Sequence, residues 1–296
     1  PGADSGNIQI RGIGSFGGSD CSPLVLIDGV EGDLNSVDAS QIDQISVLKD
    51  AASAAIYGSR AANGVILITT KRADKGKFAV TYRGYVGWQS PVVYPDVVNA
   101  EEYMHLSRRA SENDGAVSLY TDEYIANYRR NNYLDPDAYP IIDWQDRLMT
   151  GNGFTHNHTL SMSAGSERIR VMTSLGYLDQ NGIIKNANFK RYNLRNNMDI
   201  RMNDRLNFRL DIAATYSRRA ANPYQSSVFG FMNSKDPLML AQWSDGSYAP
   251  FTGGTVNPLP MIEQGVGGNN IRQNGTLKAS AALEYKPVQW LNLEVK

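Results

Sequence analysis

The chain has 296 residues, a formal net charge of -1, and 42% hydrophobic against 20% charged residues. That is enough apolar material for one large or two ordinary folded units, and its composition excludes a disordered chain. The balanced charge lacks the basic excess of a nucleic-acid binder, and no nucleic acid is expected as a partner. Aromatic usage is skewed, with 16 Tyr against 8 Phe and 4 Trp, and tyrosine is favoured where a side chain is apolar at one end and wet at the other. Cys21 is the single cysteine, so no intrachain disulfide can form. The chain opens on Pro1 without a visible signal peptide, which reads as a start downstream of a removed or missing segment. No apolar run approaches the ~18–20 residues of a transmembrane helix. The longest pure runs are Leu24 to Ile27 and Val65 to Ile68, so any passage through a membrane has to use strands.

Residues 1–76 read as a small mixed α/β unit. Leu24 to Ile27 is a continuous apolar run closed by Asp28-Gly29, the pattern of a buried strand followed by a turn. Asp38 to Gln41 resembles a capping box at a short helix. Ile45 to Leu48 predicts a second strand. Asp50 to Tyr57 is Ala-rich and predicts a helix with Asp50 at its positive end, stopped by Gly58 in the left-handed conformation. Gly64 to Thr70 predicts a third strand.

Residues 77–296 change period. Phe78, Val80, Tyr82, Val86 and Trp88 alternate with Ala79, Thr81, Arg83 and Tyr85. Phe154 to Ala164 is a weaker strand of the same kind. Ile169 to Tyr177, Tyr192 to Ile200, Leu206 to Tyr216 and Leu277 to Tyr285 repeat the alternation, and a seventh strand begins at Trp290. Period 2 held over roughly ten residues is the signature of a transmembrane β-strand. The connections alternate in length as well. Gly165-Ser166-Glu167, Asn203-Asp204 and Lys286 to Gln289 are short, whereas about 65, ten and 55 residues follow Trp88, Asp179 and Arg218, the asymmetry of short periplasmic turns and long outer loops. If residues 1–76 hand over at the periplasmic end, all three short turns fall on that side. Trp88, Tyr177, Tyr216, Tyr285 and Trp290 near strand ends suit interfacial girdles. A soluble β-sandwich, which also alternates, is the competing architecture, although its strands run to about 5–6 residues and its loops are not long at one end.

Several weaker signals carry little chemistry. His156 and His158 lie two apart on one strand face, but no third metal ligand is evident, and no metal is expected. Gly12-Ile13-Gly14 lacks the rest of a dinucleotide fingerprint. Asp135-Pro136-Asp137 misses the calcium-loop spacing. Three histidines and one cysteine form no nucleophilic arrangement, so the chain is not read as an enzyme and no cofactor is implied. In the first long loop, Asn99 with Glu102 forms a capping-box pattern, and Thr121 precedes a second short helix.

The longest ordered motifs point to a family. Ile10-Arg11-Gly12, then Pro23 to Val30 through Asp28-Gly29, then Ile42 to Ile66 including Lys49-Asp50-Ala51-Ala52, Tyr57-Gly58-Ser59-Arg60 and Asn63-Gly64, resemble the plug of TonB-dependent transporters. The Lys-Asp-Ala-Ala version is similar to the SusC/RagA branch of Bacteroidota, as are Asp143 to Asp146, Ser174 to Ile184 and Phe189 to Arg195. The resemblance covers essentially the whole chain. It implies a small α/β plug domain at 1–76 followed by antiparallel transmembrane β-barrel strands at 77–296, with extracellular loops at 89–153 and 219–273. The plug motif residues Arg11, Gly12, Asp28, Gly29, Lys49, Asp50, Tyr57, Gly58, Asn63 and Gly64 are expected to be structural.

A barrel of this kind has about 22 strands around a plugged lumen. The chain is therefore expected to be a truncated piece, lacking the Ton box, the start of the plug and later strands. The resemblance further implies residence in the bacterial outer membrane and energised import of a bulky nutrient, usually a glycan and sometimes an oligopeptide. The TonB–ExbB–ExbD complex and a SusD-like surface lipoprotein are the implied partners. A siderophore or vitamin transporter of the same architecture, and a soluble carbohydrate-binding β-protein, stay open as alternatives. Substrate contacts are expected from a Gly-rich plug loop carrying Ser15, Phe16, Ser19 and Asp20, and from Tyr224, Trp243 and Tyr248 in the loop after Arg218, whose aromatics equally suit loop packing or a lid interface. Arg168, Arg170, Arg191, Arg195, Arg201 and Arg209 are expected to face the lumen, where charge is tolerated, and to pair with plug acids such as Asp28, Asp43 and Asp50.

Overall fold

The computed structural model describes residues 8, 10, 22–50, 55–250, 256–263 and 266–296. Arg11, Gly12, Ser15, Phe16, Ser19, Asp20 and Cys21 lie outside the described residues. The N-terminal part builds a four-stranded mixed sheet from β1 (Leu24–Ile27), β2 (Val30–Glu31), β3 (Ile42–Leu48) and β4 (Val65–Thr70), in the order β2-β1-β4-β3. β1 runs parallel to β4, with Leu24 opposite Val65 and Ile27 opposite Ile68. Both strands are continuous apolar runs because both faces of the sheet are covered. Leu26 and Val65 pack with Ala61 on one face, and Ile27, Ile66 and Ile68 pack with Val37 on the other.

The turn from β1 to β2 has Asp28 and Gly29 as its two central residues, at φ 50° and 83°. Positive φ at both positions is what a two-residue hairpin turn of the primed type demands, and Asp-Gly meets it at low cost. Asp38 caps a 3-10 turn at Ala39–Gln41, its carboxylate accepting from the Ser40 N–H. Residues 51–54 of the expected Ala-rich helix fall outside the described residues, and Ala55–Ala61 forms 3-10 turns rather than α-helix. Gly58 does not end it in the left-handed helical conformation. Its φ of 69° comes with ψ of -157°, a region essentially restricted to glycine, which breaks the run into two turns.

The rest of the chain forms one seven-stranded antiparallel sheet in which every strand pairs with its sequence neighbour. The strands are β5 (Phe78–Gln89), β6 (Gly153–Gly165), β7 (Ile169–Asn181), β8 (Asn188–Arg201), β9 (Leu206–Ala221), β10 (Asn270–Val288) and β11 (Leu291–Val295). The connections alternate between short turns at 166–168, 202–205 and 289–290 and longer segments at 90–152, 182–187 and 222–269. At the handover from β4 to β5 the backbones of Gly76 and Lys77 hydrogen-bond to Gly165 at 2.9 and 3.0 Å. A side chain on Gly165 would run into the Asp74 carbonyl, so this close approach requires glycine.

The two faces of the large sheet have different fates. The inner face, with Thr159, Ser174, Asn197 and Asp211 buried, packs against the small sheet and its flanking turns. The outer face leaves large apolar side chains uncovered by any described residue, among them Tyr82, Trp88 and Leu277 at 63%, 65% and 73% exposure. A sandwich would put a second sheet there, and a water-facing surface of this kind would be an association hazard. Ring contacts cross this face strand by strand through Trp88, Phe154, His156, Tyr177, Tyr192 and Tyr216, with centroids 5.0–6.3 Å apart. They lie toward the long-loop ends, where an interfacial girdle belongs.

The long connections form a layer of short helices: α1 (Ala100–Asn113), α2 (Asp122–Leu134), α3 (Trp144–Leu148), α4 (Gln225–Ser234) and α5 (Pro258–Ile262). Asn99 and Glu102 make the reciprocal capping box at α1 that the sequence predicts, and the Thr121 hydroxyl caps α2. Trp144, Leu148 and Met149 from the first loop, Ile184 from the second, and Val228, Met232, Ala241, Leu259 and Ile262 from the third share one apolar core. Buried Asn257 donates to the carbonyls of Ala241 and Ala249 at 2.7 and 2.9 Å and caps α5. Replacing Asn99 with alanine removes the side-chain half of the α1 capping box, the acceptor for the Glu101 and Glu102 N–H groups, and leaves the backbone bond to Glu102 in place. The expected loss is about 1 kcal/mol of local stability, read as faster amide exchange confined to the first turn of α1.

Candidate functional site

The contact zone between the small sheet and the large one is built from charged and polar groups whose sequence neighbours are apolar. On β8, Tyr192, Leu194, Met198 and Ile200 alternate with Arg191, Arg195, Asn197 and Asp199, and this second set faces the small sheet. Arg195 reaches the carboxylate of Asp28 at 3.0 Å, with both side chains nearly buried at 11% and 7% exposure. The same carboxylate accepts from the Thr70 N–H at 2.9 Å and the Thr70 hydroxyl at 2.7 Å. Asn197 in turn donates to the Thr70 hydroxyl oxygen at 2.7 Å and to the Lys71 carbonyl at 3.0 Å. Turn, strand end and wall are thereby held in one chain of donors and acceptors.

A second link has the opposite polarity. Arg72, just past β4, donates to both oxygens of Asp211 at 2.7 and 2.8 Å and to Asp199 at 3.2 Å. Burial opposes the charge of Arg72, but the hydrogen bond to Asp211 and the charges of Asp211, Asp199 and Asp28 outweigh it and raise its pKa further. Arg209 adds a longer contact to Asp199 at 3.5 Å. Elsewhere on the interface, buried Gln41 donates to Ser174 at 2.9 Å, and Ser174 lies 2.9 Å from Ser161.

Asp38 ties the 3-10 turn to β6, accepting from Thr159 at 3.3 Å. Burial raises its pKa, but hydrogen bonds from Ser40, Asn157 and Thr159 outweigh that, and the net shift is below 3.8. A depressed carboxylate contributes stability above its unfolded pKa and loses it as pH falls through the folded one. The contact of this turn with β6 should therefore hold at neutral pH and weaken only below about pH 3.8. Asp38→Asn should flatten that acid limb when exchange at Gln41 is followed against pH.

Above the interface, toward the long-loop ends, lies a cavity of about 820 Å³. The small sheet contributes Ile27, Asp28, Val30, Asp33 and Ser36 to it, and the wall contributes mainly inner-face residues of β7 to β10.

Of the residues proposed from sequence, Asp28 and Gly29 form the turn that meets Arg195. Gly64 packs against the Leu48 carbonyl, and Gly58 kinks its 3-10 segment. Lys49 and Asp50 follow β3, and Tyr57 packs beside the core of Leu26 and Val65. Asn63 precedes β4. Among the loop aromatics, Tyr224 precedes α4 and is half exposed, and Trp243 is half exposed in a tight turn whose ends, Gln242 and Tyr248, bridge. Tyr248 packs on the shared loop core, a structural position. The six arginines do not behave alike. Arg195 meets plug Asp28, but Arg209 finds wall Asp199 and Arg201 finds turn residue Asp204. His156 and His158 hydrogen-bond to each other at 3.2 Å, with His158 2.6 Å from the Tyr82 hydroxyl, inside the outer aromatic row. Arg72 and Asp211 went unnoticed in the sequence. The available signal was Asp211 as the one acid on an inner face of β9 that otherwise carries Asn207, Arg209, Ala213, Thr215, Ser217 and Arg219.

A mixed plug sheet held by buried ion pairs against the polar face of a meandering wall, whose other face is apolar and uncovered, defines a plugged β-barrel receptor. Residues 1–65 match the family model described as the TonB-dependent receptor plug domain. The chain is 31% identical over 303 residues to TonB-dependent receptor P26 of Formosa agariphila, an alignment covering 98% of this chain and 28% of that protein. It is 36% identical over 196 residues to TonB-dependent receptor SusC of Bacteroides thetaiotaomicron, covering 62% of this chain and 18% of that one. Among solved structures, the RagAB peptide transporter superposes with a TM-score of 0.73 at 22% identity, over 97% of this chain and 35% of that one, a likeness of fold. The chain belongs to the SusC/RagA-like TonB-dependent receptors. It spans between 18% and 28% of the length of the curated relatives it matches.

Proposed function

We propose that this chain serves TonB-dependent, energised import of a bulky nutrient, a glycan, across the bacterial outer membrane. The single observation that supports it best is the plug sheet locked to the polar face of an outward-apolar wall by Asp28–Arg195 and Arg72–Asp211, with a cavity left above. A stopper held by buried ion pairs blocks free diffusion yet can be released when those pairs are pulled apart, which is the mechanical requirement of gated uptake. In this reading TonB–ExbB–ExbD supplies the pull. A SusD-like lipoprotein covers the loop layer, and lipid meets the aromatic row. Ser15, Phe16, Ser19, Asp20, Tyr224 and Trp243 are proposed substrate contacts, while Tyr248 acts through loop packing.

The test is accumulation of labelled oligosaccharides by cells carrying the intact receptor. Uptake that survives a protonophore, or that is unchanged in a deletion strain, removes the proposal. Peptide import is the second reading, because a protein of the same fold is described as a peptide importer. A peptide arm and an iron-limited arm in the same growth panel separate it, and the siderophore alternative, from glycan uptake.

A further inference from the structure

Arg219 on β9 stands directly opposite Arg272 on β10, in register and on the inner face. Like charges in directly opposed positions are destabilising. Among the described residues neither guanidinium has an acid partner, and the Nε of Arg219 is buried without a hydrogen-bond acceptor. Arg191 lies on the same face, opposite Ser217 and so diagonal to Arg219. The cavity these residues line carries five cationic side chains, Arg191, Arg195, Arg219, Arg272 and Lys278, against three carboxylates, and two of those, Asp28 and Asp211, are taken by Arg195 and Arg72. Elsewhere the same sheet neutralises its inner charges locally, as at Asp199. The pair at Arg219 and Arg272 departs from that pattern at the cavity's upper wall.

We propose that this cavity receives an acidic oligosaccharide, whose carboxylate or sulfate groups are held by Arg219 and Arg272. The proposal rests on the import reading above and names its substrate class. Guanidinium forks match planar or tetrahedral oxyanions and bind them with two donors at once. The neighbours suit a sugar. Phe189 stands opposite Arg219 on β8 and lines the same cavity, as do the hydroxyl and amide groups of Ser217, Asn274 and Thr276. A ligand anion turns the repelling pair into a bridged one.

The intact receptor is purified in detergent. Its binding to a galacturonate hexamer and a sulfated galactan hexamer is compared with the methyl-esterified galacturonate hexamer, neutral galactan hexamer and hexaglutamate. At least one acidic sugar should bind about tenfold or more tighter than its neutral counterpart, and the preference should shrink with salt. Arg219→Gln with Arg272→Gln should abolish the preference, bringing the acidic hexamers to the affinity of their neutral counterparts in the same variant. Because it removes a repulsion, it should also leave Tm equal or higher. The double lysine variant, Arg219→Lys with Arg272→Lys, should retain part of the preference. Equal binding of acidic and neutral hexamers, an unchanged preference in the glutamine variant, or hexaglutamate binding as tightly as the acidic sugars overturns the proposal. Energised uptake of neutral hexamers alone would leave the import reading standing while this one falls.

Discussion

Arg195→Gln is expected to lower the local opening free energy of the β1–β2 hairpin by about 3–5 kcal/mol, because it strands the buried Asp28 carboxylate without its cation. Both side chains are almost out of water, so solvent cannot replace the lost partner. The Thr70 bonds that remain stabilise the same carboxylate and keep the loss finite. Hydrogen exchange at Leu26, Ile27 and Ile68 in the intact receptor reads this directly. Combining Arg195→Gln with Asp28→Asn should recover a large part of the loss, since a neutral pair leaves no uncompensated charge. Unchanged exchange in the single variant would show that the pair does not hold the plug. A double variant no better than the single one would show that the cost is packing rather than charge.

Trp144→Ala is the second large effect. The indole is 4% exposed at the centre of the loop core, and its N–H donates to the Asp236 carbonyl at 3.0 Å. Truncating a buried tryptophan typically costs about 3–5 kcal/mol. Here the loss falls on contacts among three separate loops, so all three should loosen together. Limited proteolysis should cut within 222–269 as readily as within 90–152, although only the latter carries the substitution. Cleavage confined to the first loop would mean that the three connections do not form one unit. The wall strands, whose pairing does not involve Trp144, should keep their exchange protection in either case.

The strands were legible because their chemistry is local. Alternation along Leu206 to Tyr216 records which side stays apolar and uncovered and which meets the small sheet, and the short turns at 166–168 and 202–205 fix the hairpins. The α1 capping box and the Thr121 cap were legible for the same reason, each lying within four residues, whereas Asp38 caps a 3-10 turn without the reciprocal bond of the box expected there. Asp28 facing Arg195 could be anticipated only as one of many possible pairs, since its partner lies far along the chain and no period links them. Arg72 left no trace because it sits outside any regular element, and its partners Asp199 and Asp211 look like ordinary polar positions of β8 and β9. The loop core is opaque for a related reason. Trp144, Ile184 and Leu259 come from three connections with no shared periodicity, so the sequence left Tyr248 open between a substrate contact and loop packing, and the structure sets it against this core.

The two ion-pair links cross the interface in opposite directions, acid to base at Asp28 and base to acid at Arg72. That has a consequence for how such receptors can be recombined. A plug grafted from a relative without an acid at the hairpin turn and a base after β4 would leave Arg195 without its carboxylate and Asp211 without its cation, with Asp199 keeping only its longer contact to Arg209. Each mismatch strands a poorly hydrated charge and costs more than an exchanged surface charge. Plug and wall should therefore be inherited as a matched set, and chimaeras that swap one without the other should assemble only when both charge pairs travel together.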